Sequence, residues 1–383
     1  MNRSVYITGV AMTPFGRHSA SMQDLAQAAV RDAVADAGLE FEAIEAWYAA
    51  NVFGGMALGQ VLLRDLDLAG PPIYNVENAC ASGATGVHLA CHALQAGAYE
   101  TVAVFGVEKL TALGGGTIPL QRNDYMTELY ARAGLALPAV YAMRATRYLH
   151  EFGVGPEVLG EVAVKNRRHG ALNPYAQTRT PVTLDQVMDS RMVFDPLTLL
   201  QCCPSAVDGA AALVLSTKRP TLRAKPVRVL SSVVQSGRAE SGTGDDILAA
   251  EITARAAQMA YRQAGVKPAD IDVIELHDAF TIAELIYYQA LGLCGRGEAH
   301  ELLRSGATAL GGRVPVNPSG GLLAKGHPLG TTGVAQMVEA VWQLDGRAGE
   351  RQVPGASVAL TQCTGGGIAG VDHAASSVHI LAH

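Results

Sequence analysis

Apolar positions along this chain recur with two periods. Residues 5–9 form a short, nearly continuous apolar run that predicts a strand. Beyond it, Leu25, Ala26, Ala29, Val30, Ala33 and Val34 return at helical spacing. Ser21 stands where an N-cap belongs and Gly38 where a helix stops, which predicts a helix over 21–37. A second strand is expected over 44–52. A short extended run (Ile73, Tyr74, Val76) then opens into a helix carrying Val87, Leu89, Ala90, Ala93 and Leu94. Residues 101–106 read as a buried strand. Strand and helix alternate, as they do in mixed α/β layers.

The second half of the chain repeats this pattern. Residues 227–234 predict a strand and 247–264 a helix with Ala256, Ala257, Ala260 and Tyr261 on its apolar face. Gly265 ends it, as Gly38 ends the first. Setting Ala37-Gly38 on Ala264-Gly265 also brings Ile44 onto Ile271 and Phe53 onto Phe280. Further on, Thr85-Gly86-Val87 matches Thr332-Gly333-Val334, and residues 101–104 match 357–360. Repeats of this length are structural halves rather than solenoid units. Cys80 then falls on His327, His277 and Asp278 on Ala50 and Asn51, and Cys363 on Val107. All of these lie at strand ends, where open α/β folds place their sites. About a hundred residues after Val107 have no counterpart, an excursion suited to a lid or binding loop, with a helical stretch over 139–152.

Composition narrows the class. Hydrophobic residues make up 49% and charged residues 17% of 383, and mean hydropathy is +0.17. A chain this long and apolar is expected to build more than one packed unit and to bury surface between copies. Lys and Arg number 29 against 35 Asp and Glu, a net charge of −6. That balance argues against nucleic-acid and anionic-membrane partners, and no apolar run reaches the roughly 18 residues of a membrane span. The N-terminus shows no signal-peptide core. The six cysteines show neither a CxxC pair nor a histidine spacing suited to zinc. Adjacent Cys202 and Cys203 are expected as buried thiols, and the whole reads as a reduced, cytoplasmic protein.

The segment 75–86, Asn-Val-Glu-Asn-Ala-Cys-Ala-Ser-Gly-Ala-Thr-Gly, holds Cys80 at a predicted helix start. Unpaired N–H groups and the helix dipole there are expected to lower a thiol pKa, while a core cysteine is the alternative. The basic run Lys165-Asn-Arg-Arg-His169 could meet phosphates, but a solvated helix face is the preferred reading. His88, His92, His150 and His169 are assigned structural or surface places. Gly365-x-Gly367-x-x-Gly370 matches a dinucleotide fingerprint, yet no helix and no acidic residue follow in the required places, so it is set aside.

Four segments in order, Asn78-Ala-Cys80-Ala-Ser-Gly, His277-Asp-Ala-Phe280, Gly326-His327-Pro-Leu-Gly330 and Cys363-Thr-Gly-Gly-Gly367, closely resemble the thiolase family over nearly the whole chain. His277-Asp-Ala-Phe280, together with Val164-Lys-Asn-Arg167 and Leu172-Asn-Pro-Tyr-Ala176, resembles its sterol-carrier-type branch. The resemblance implies a five-layered αβαβα fold of two pseudo-symmetric halves. Residues 1–108 plus 207–222 would form the first half, 109–206 an inserted loop domain and 223–383 the second half. It further implies thiolytic cleavage of a 3-oxoacyl-CoA, or the reverse Claisen condensation, with Cys80 as the acylated nucleophile. His327 would be its base and a donor to the thioester oxygen, Cys363 the acid/base at the α-carbon, and His277 would hold a water in, or donate directly into, one oxyanion hole. The N–H groups of Cys80 and Gly365 would form the other. Part of the branch carries a cysteine where this chain has Ala279, and lacks the one in the final loop. Here Cys363 supplies that thiol. No metal and no tightly bound cofactor are implied, with coenzyme A and acyl-CoA entering as substrates. A homodimer or homotetramer is implied, and the resemblance extends to branch members that work with a small zinc-ribbon/OB-fold companion protein, though the chain itself does not specify one. A carbon-acyltransferase, ketosynthase or retro-aldolase of the same family is the alternative.

Overall fold

A computed structural model describes residues 3–66, 70–114, 125–220, 225–238, 247–248, 250–367 and 373–383. The first half runs β1 (Val5–Met12), α1 (Met22–Asp36), β2 (Ala46–Ala50), α2 (Leu58–Leu63), β3 (Ile73–Val76), α3 (Ser82–Ala96) and β4 (Thr101–Lys109). The excursion contributes α4 (Tyr125–Arg132), α5 (Leu137–Phe152), α6 (Glu157–Ala171), α7 (Leu184–Met188) and a small hairpin, β5 (Met192–Phe194) with β6 (Leu197–Thr198). The chain returns through β7 (Asp208–Ser216). The second half runs β8 (Val227–Ser236), α8 (Glu251–Ala264), β9 (Val273–Glu275), α9 (Thr281–Ala290), α10 (Ala299–Arg304), α11 (Gly321–Ala324), α12 (Leu329–Asp345), β10 (Val358–Gly365) and β11 (Ala375–Ala382). Among the described residues no helix is long and apolar enough to cross a membrane.

Strand order shows the repeat. The first half is β3-β2-β4-β7-β1 and the second β8-β11-β10-β9, joined where Val5–Ile7 pairs Val227–Val229. In each half two parallel strands (β2 with β4, β9 with β10) meet an antiparallel return (β7, β11). A lone parallel bridge from Ile274 to Val316 stands where β3 stands in the first half. Helices α3 and α12 touch strands of both halves, α1 packs on β1, β7 and β4, and α8 on β8 and β11. The result is the αβαβα layering implied by the family resemblance.

Local signals explain the outer helices. Ser21 and Asp24 form a reciprocal capping box on α1, and Gly38 and Gly265 take the left-handed turns that end α1 and α8. The strand expected over 44–52 spans only Ala46–Ala50, because Ile44 still caps a 3₁₀ turn over Phe41–Ala43. The central helices depend on glycine instead. A Cβ on Gly83 would sit 2.7 Å from the Gly330 carbonyl, and one on Gly333 2.4 Å from the Ala84 nitrogen. With no side chain in the way, α3 and α12 come into backbone contact at their first turns. That crossing brings the two helix starts together.

Candidate active site

Cys80 and His327 occupy equivalent places, each two residues ahead of its helix. Ala79, just before the cysteine, holds a left-handed φ of 49°, a conformation that costs a non-glycine residue energy and gathers at functional sites. The turn is held by Ser82, whose hydroxyl accepts from the Asn78 nitrogen (2.8 Å) and donates to the Ala79 carbonyl (2.5 Å). His277 follows β9, and its own nitrogen donates to Gln362 Oε1 (3.1 Å). On β10, Gln362 and Thr364 share a face by strand alternation and both serve His277. Cys363 between them turns to Cys80.

These residues meet. Donor atoms of Cys80, His277 and His327 lie within 4.8 Å of one another, and the two imidazoles meet edge-on with centroids 4.8 Å apart. The buried Cys363 thiol lies 3.1 Å from the Cys80 carbonyl. A Cβ on Gly365 would stand 2.3 Å from the Asn78 carbonyl and 2.7 Å from the Ala81 nitrogen, so the end of β10 touches the Cys80 turn through bare backbone. One cysteine and two histidines are also a donor set for a thiophilic cation, a grouping that local spacing in the sequence does not reveal.

Protonation states follow from partners. The Thr332 hydroxyl donates to the Pro328 carbonyl (3.0 Å), so it accepts from His327 Nδ1 (2.8 Å). The proton of that ring is thereby placed on Nδ1 and a lone pair on Nε2, the form a general base needs. Burial, and then the neighbouring His277, hold His327 well below the ordinary histidine range. The lowered thiol pKa expected for Cys80 is not found. Although the residue is half-exposed, crowding by protein pushes its thiol up to about 12, with Glu108 adding to the rise and the Gly366 backbone opposing it. The helix start is two residues away, and desolvation outweighs its field. Burial likewise raises Cys363, and Cys80 beside it adds to the rise. The resting site is therefore neutral, thiol beside imidazole, and ionisation has to be coupled to substrate binding.

Two sequence expectations are corrected. Lys165, Asn166, Arg167 and His169 are buried and only Arg168 of that run is exposed, so the run is no solvated face. Lys165 pairs with Glu284 at 2.6 Å and donates to the Val316 carbonyl at 2.9 Å. Asn166 donates to both Asp278 (2.8 Å) and Glu284 (2.7 Å). Asp278, pushed up to about 8 by burial and then by Glu284, accepts from the Leu322 nitrogen (2.7 Å) at the start of α11. Helix α6 is thus bolted beneath the His277 turn. His169 is structural as expected, bridging the Asn317 carbonyl and the Leu310 nitrogen. Cys202 and Cys203 are half-buried free thiols rather than buried ones. They run antiparallel to residues 279–280, with the Cys203 nitrogen 2.9 Å from the Ala279 carbonyl. Gly370 and Gly115-Gly116 lie outside the described residues.

Comparison with known proteins decides the family. A profile of the thiolase N-terminal domain matches residues 5–219, and one of the thiolase C-terminal domain-like family matches 237–382. The chain belongs to the thiolase family. It is an acyltransferase of that family. It is 40% identical to the benzoylsuccinyl-CoA thiolase subunit BbsB of Thauera aromatica, over 96% of each chain. Identity is 40% to an acetyl-CoA acetyltransferase of Methanothermobacter thermautotrophicus, over 95% of this chain and 97% of that one. It is 39% to sterol carrier protein 2 of Gallus gallus, over 94% of this chain and 69% of that one. Among solved structures, an Ltp2–ChsH2(DUF35) aldolase superposes with a TM-score of 0.83 at 27% identity, covering 98% of this thiolase and 97% of that chain. Human mitochondrial 3-ketoacyl-CoA thiolase in complex with CoA superposes at 0.73 and 18% identity over 99% and 98%, a likeness of fold.

Sequence reasoning singled out Cys80, His277, His327, Cys363 and Gly365, which the fold brings together, but not the residues that contact them. Thr332, Thr364, Gln362, Tyr287 and Glu108 sit in ordinary helix and strand positions. Each needs a partner from another element to become visible. The signal available was adjacency, since Thr364 and Gln362 flank Cys363 on an alternating strand.

Proposed function

We propose that this thiolase cleaves 3-oxoacyl-CoA substrates with coenzyme A, or forms them by the reverse Claisen condensation, through an acyl thioester on Cys80. The convergence of Cys80, His277 and His327 within 4.8 Å, with Cys363 at the Cys80 carbonyl, carries this reading. His327 Nε2, with its lone pair toward the site, takes the Cys80 proton as the sulfur attacks the 3-oxo carbon. The N–H groups of Cys80 and Gly365 receive the oxyanion. Breaking the bond between C2 and C3 leaves an enolate, whose oxygen is faced by Nε2–H of His277 and of the newly protonated His327. Cys363 returns a proton to the α-carbon. The acyl-CoA formed from the enolate leaves. The thiol of coenzyme A then gives its proton to the Cys363 thiolate and attacks acyl-Cys80, and the departing Cys80 sulfur takes back the proton held by His327, which restores the site. Covalent capture divides one hard step into two easier ones, and each preorganised oxyanion donor contributes about 3–4 kcal/mol.

The domain reading (1–108 plus 207–222, 109–206, 223–383), a cytoplasmic location and a homodimer or homotetramer accompany this proposal. Strand β3 is the open edge of the sheet, and Tyr74 on it is 43% exposed, which suits pairing between copies. The superposition on an aldolase complexed with a DUF35 protein supports a second reading, a retro-aldolase working with a zinc-ribbon/OB-fold companion. Mass spectrometry separates the two. Incubation with acyl-CoA should leave an acyl adduct on Cys80, and Cys80→Ala should abolish both adduct and thiolysis. A variant that still catalyses thiolysis without an adduct refutes the covalent route.

A further inference from the structure

A chain of buried hydrogen bonds leads from the inserted domain to His277. Arg144 on α5 is 1% exposed, and its Nη1 lies 3.1 Å from His373 Nε2. The Tyr287 hydroxyl is 3.3 Å from the same nitrogen and 3.0 Å from Thr364 Oγ1. Thr364 Oγ1 in turn is 3.2 Å from His277 Nδ1. We propose that Arg144 gives this chain a direction and so fixes the tautomer of His277, which makes Tyr287 and Thr364 positioning residues. The catalytic consequence rests on the function proposed above; the tautomer does not.

A guanidinium can only donate. His373 Nε2 must therefore offer its lone pair to Arg144, and the single ring proton goes to Nδ1, on the side of the Gly366 backbone that favours it. With that lone pair taken, the Tyr287 proton can go to Thr364 or to the Tyr141 hydroxyl, which also bonds it. Arg144 lies 4.6 Å above the Tyr141 ring and its guanidinium donates to that hydroxyl. With the Tyr141 oxygen so engaged, the relay assigns the Tyr141 proton to Tyr287 and the Tyr287 proton to Thr364. Thr364, already accepting from Tyr287, gives its own proton to His277 Nδ1. His277 then carries hydrogen on Nε2, the atom with no partner in the protein. Burial pushes this histidine down to about 4, so it stays neutral near pH 7 and the tautomer is its one variable. The outcome is opposite to that at His327, where Thr332 places the proton on Nδ1. Two imidazoles 4.8 Å apart thus present one donor and one acceptor to the same substrate. Through Arg144 the inserted segment reaches His373 and the chain that leads to His277.

The test is ¹⁵N NMR on the full chain labelled at histidine, with His277 assigned by loss of its signals in His277→Gln. The wild-type chain should show Nε2–H at His277. Tyr287→Phe and Thr364→Val should shift its two nitrogens toward a mixture of tautomers, and Thr364→Ser, which keeps the hydroxyl, should retain Nε2–H. Tyr287→Phe should also lower kcat about 10- to 100-fold with KM changed less than about twofold, short of the full loss of an oxyanion donor. An Nδ1–H form in the wild type, or unchanged nitrogen shifts in both Tyr287→Phe and Thr364→Val, overturns the relay. Shifts as expected with unchanged kcat uphold the relay and overturn the role given to His277.

Discussion

Glu108 offers a direct measure of how strongly this interior resists charge. It ends β4 with no exposed surface. One carboxyl oxygen accepts from the Val52 nitrogen at 2.5 Å. The N–H groups of Phe53 and Gly330 also favour the charged carboxyl, while Oε2 has no hydrogen-bond partner. Burial, helped by Glu77, outweighs these donors and pushes the carboxyl from 4.5 up to about 7. The unfolded chain ionises this group first as pH rises, while the folded chain keeps its proton until about 7. Folding stability therefore falls from pH 4.5 to 7 and then levels off. The full cost is about 3 kcal/mol, at about 1.4 kcal/mol per pH unit. At pH 5 less than about 1 kcal/mol of it has been incurred. Glu108→Gln removes the titration, and whatever its amide loses in packing is lost at both pH values. Urea unfolding of both proteins should show the variant gaining about 2–3 kcal/mol on the wild type between pH 5 and pH 8. Ionised Glu108 also raises the Cys80 thiol, so the variant should be alkylated faster at Cys80 at pH 8. An equal stability difference at the two pH values would refute the reasoning.

Lys165→Met should strand Glu284 in the interior and cost about 3–5 kcal/mol in urea unfolding, whereas Lys165→Met with Glu284→Gln, which removes the charge and keeps an acceptor for the Asn166 and Asn317 amides, should recover much of the loss. Recovery in the double variant would show that the cost is an orphaned charge. Gly333→Ala places a methyl group 2.4 Å from the Ala84 nitrogen and should force α3 and α12 apart. A stability loss of about 1–3 kcal/mol is expected, with a larger proportional fall in kcat, because Cys80 and His327 ride on the two helices that separate. Full activity at wild-type KM in Gly333→Ala would show that the crossing does not set the site.

What could be read in the sequence was what depends on near neighbours. Ser21, Asp24 and Gly38 bound α1 by capping chemistry within a few residues, and β8 and α5 begin within two residues of where apolar periodicity places them. The repeat was legible because both halves solve the same local problem, a strand end followed by a glycine-rich helix start. Readings failed where a distant element decides the outcome. The run from Lys165 looks solvated by composition, but Glu284 and Asp278, more than a hundred residues on, bury and satisfy it. Helix position alone argues for a lowered Cys80 thiol, yet burial by surrounding segments, with Gly366 and Glu108 among them, decides its environment. Helix α8 begins at Glu251 rather than 247, a boundary that apolar spacing alone does not mark. The site belongs mostly to this second class. Each half supplies one strand-end turn, and the proposed chemistry needs Cys80 and His327 within reach of each other. That distance is set by the absence of side chains at Gly83, Gly330 and Gly333, so the positions that decide the geometry are those with no chemistry to notice.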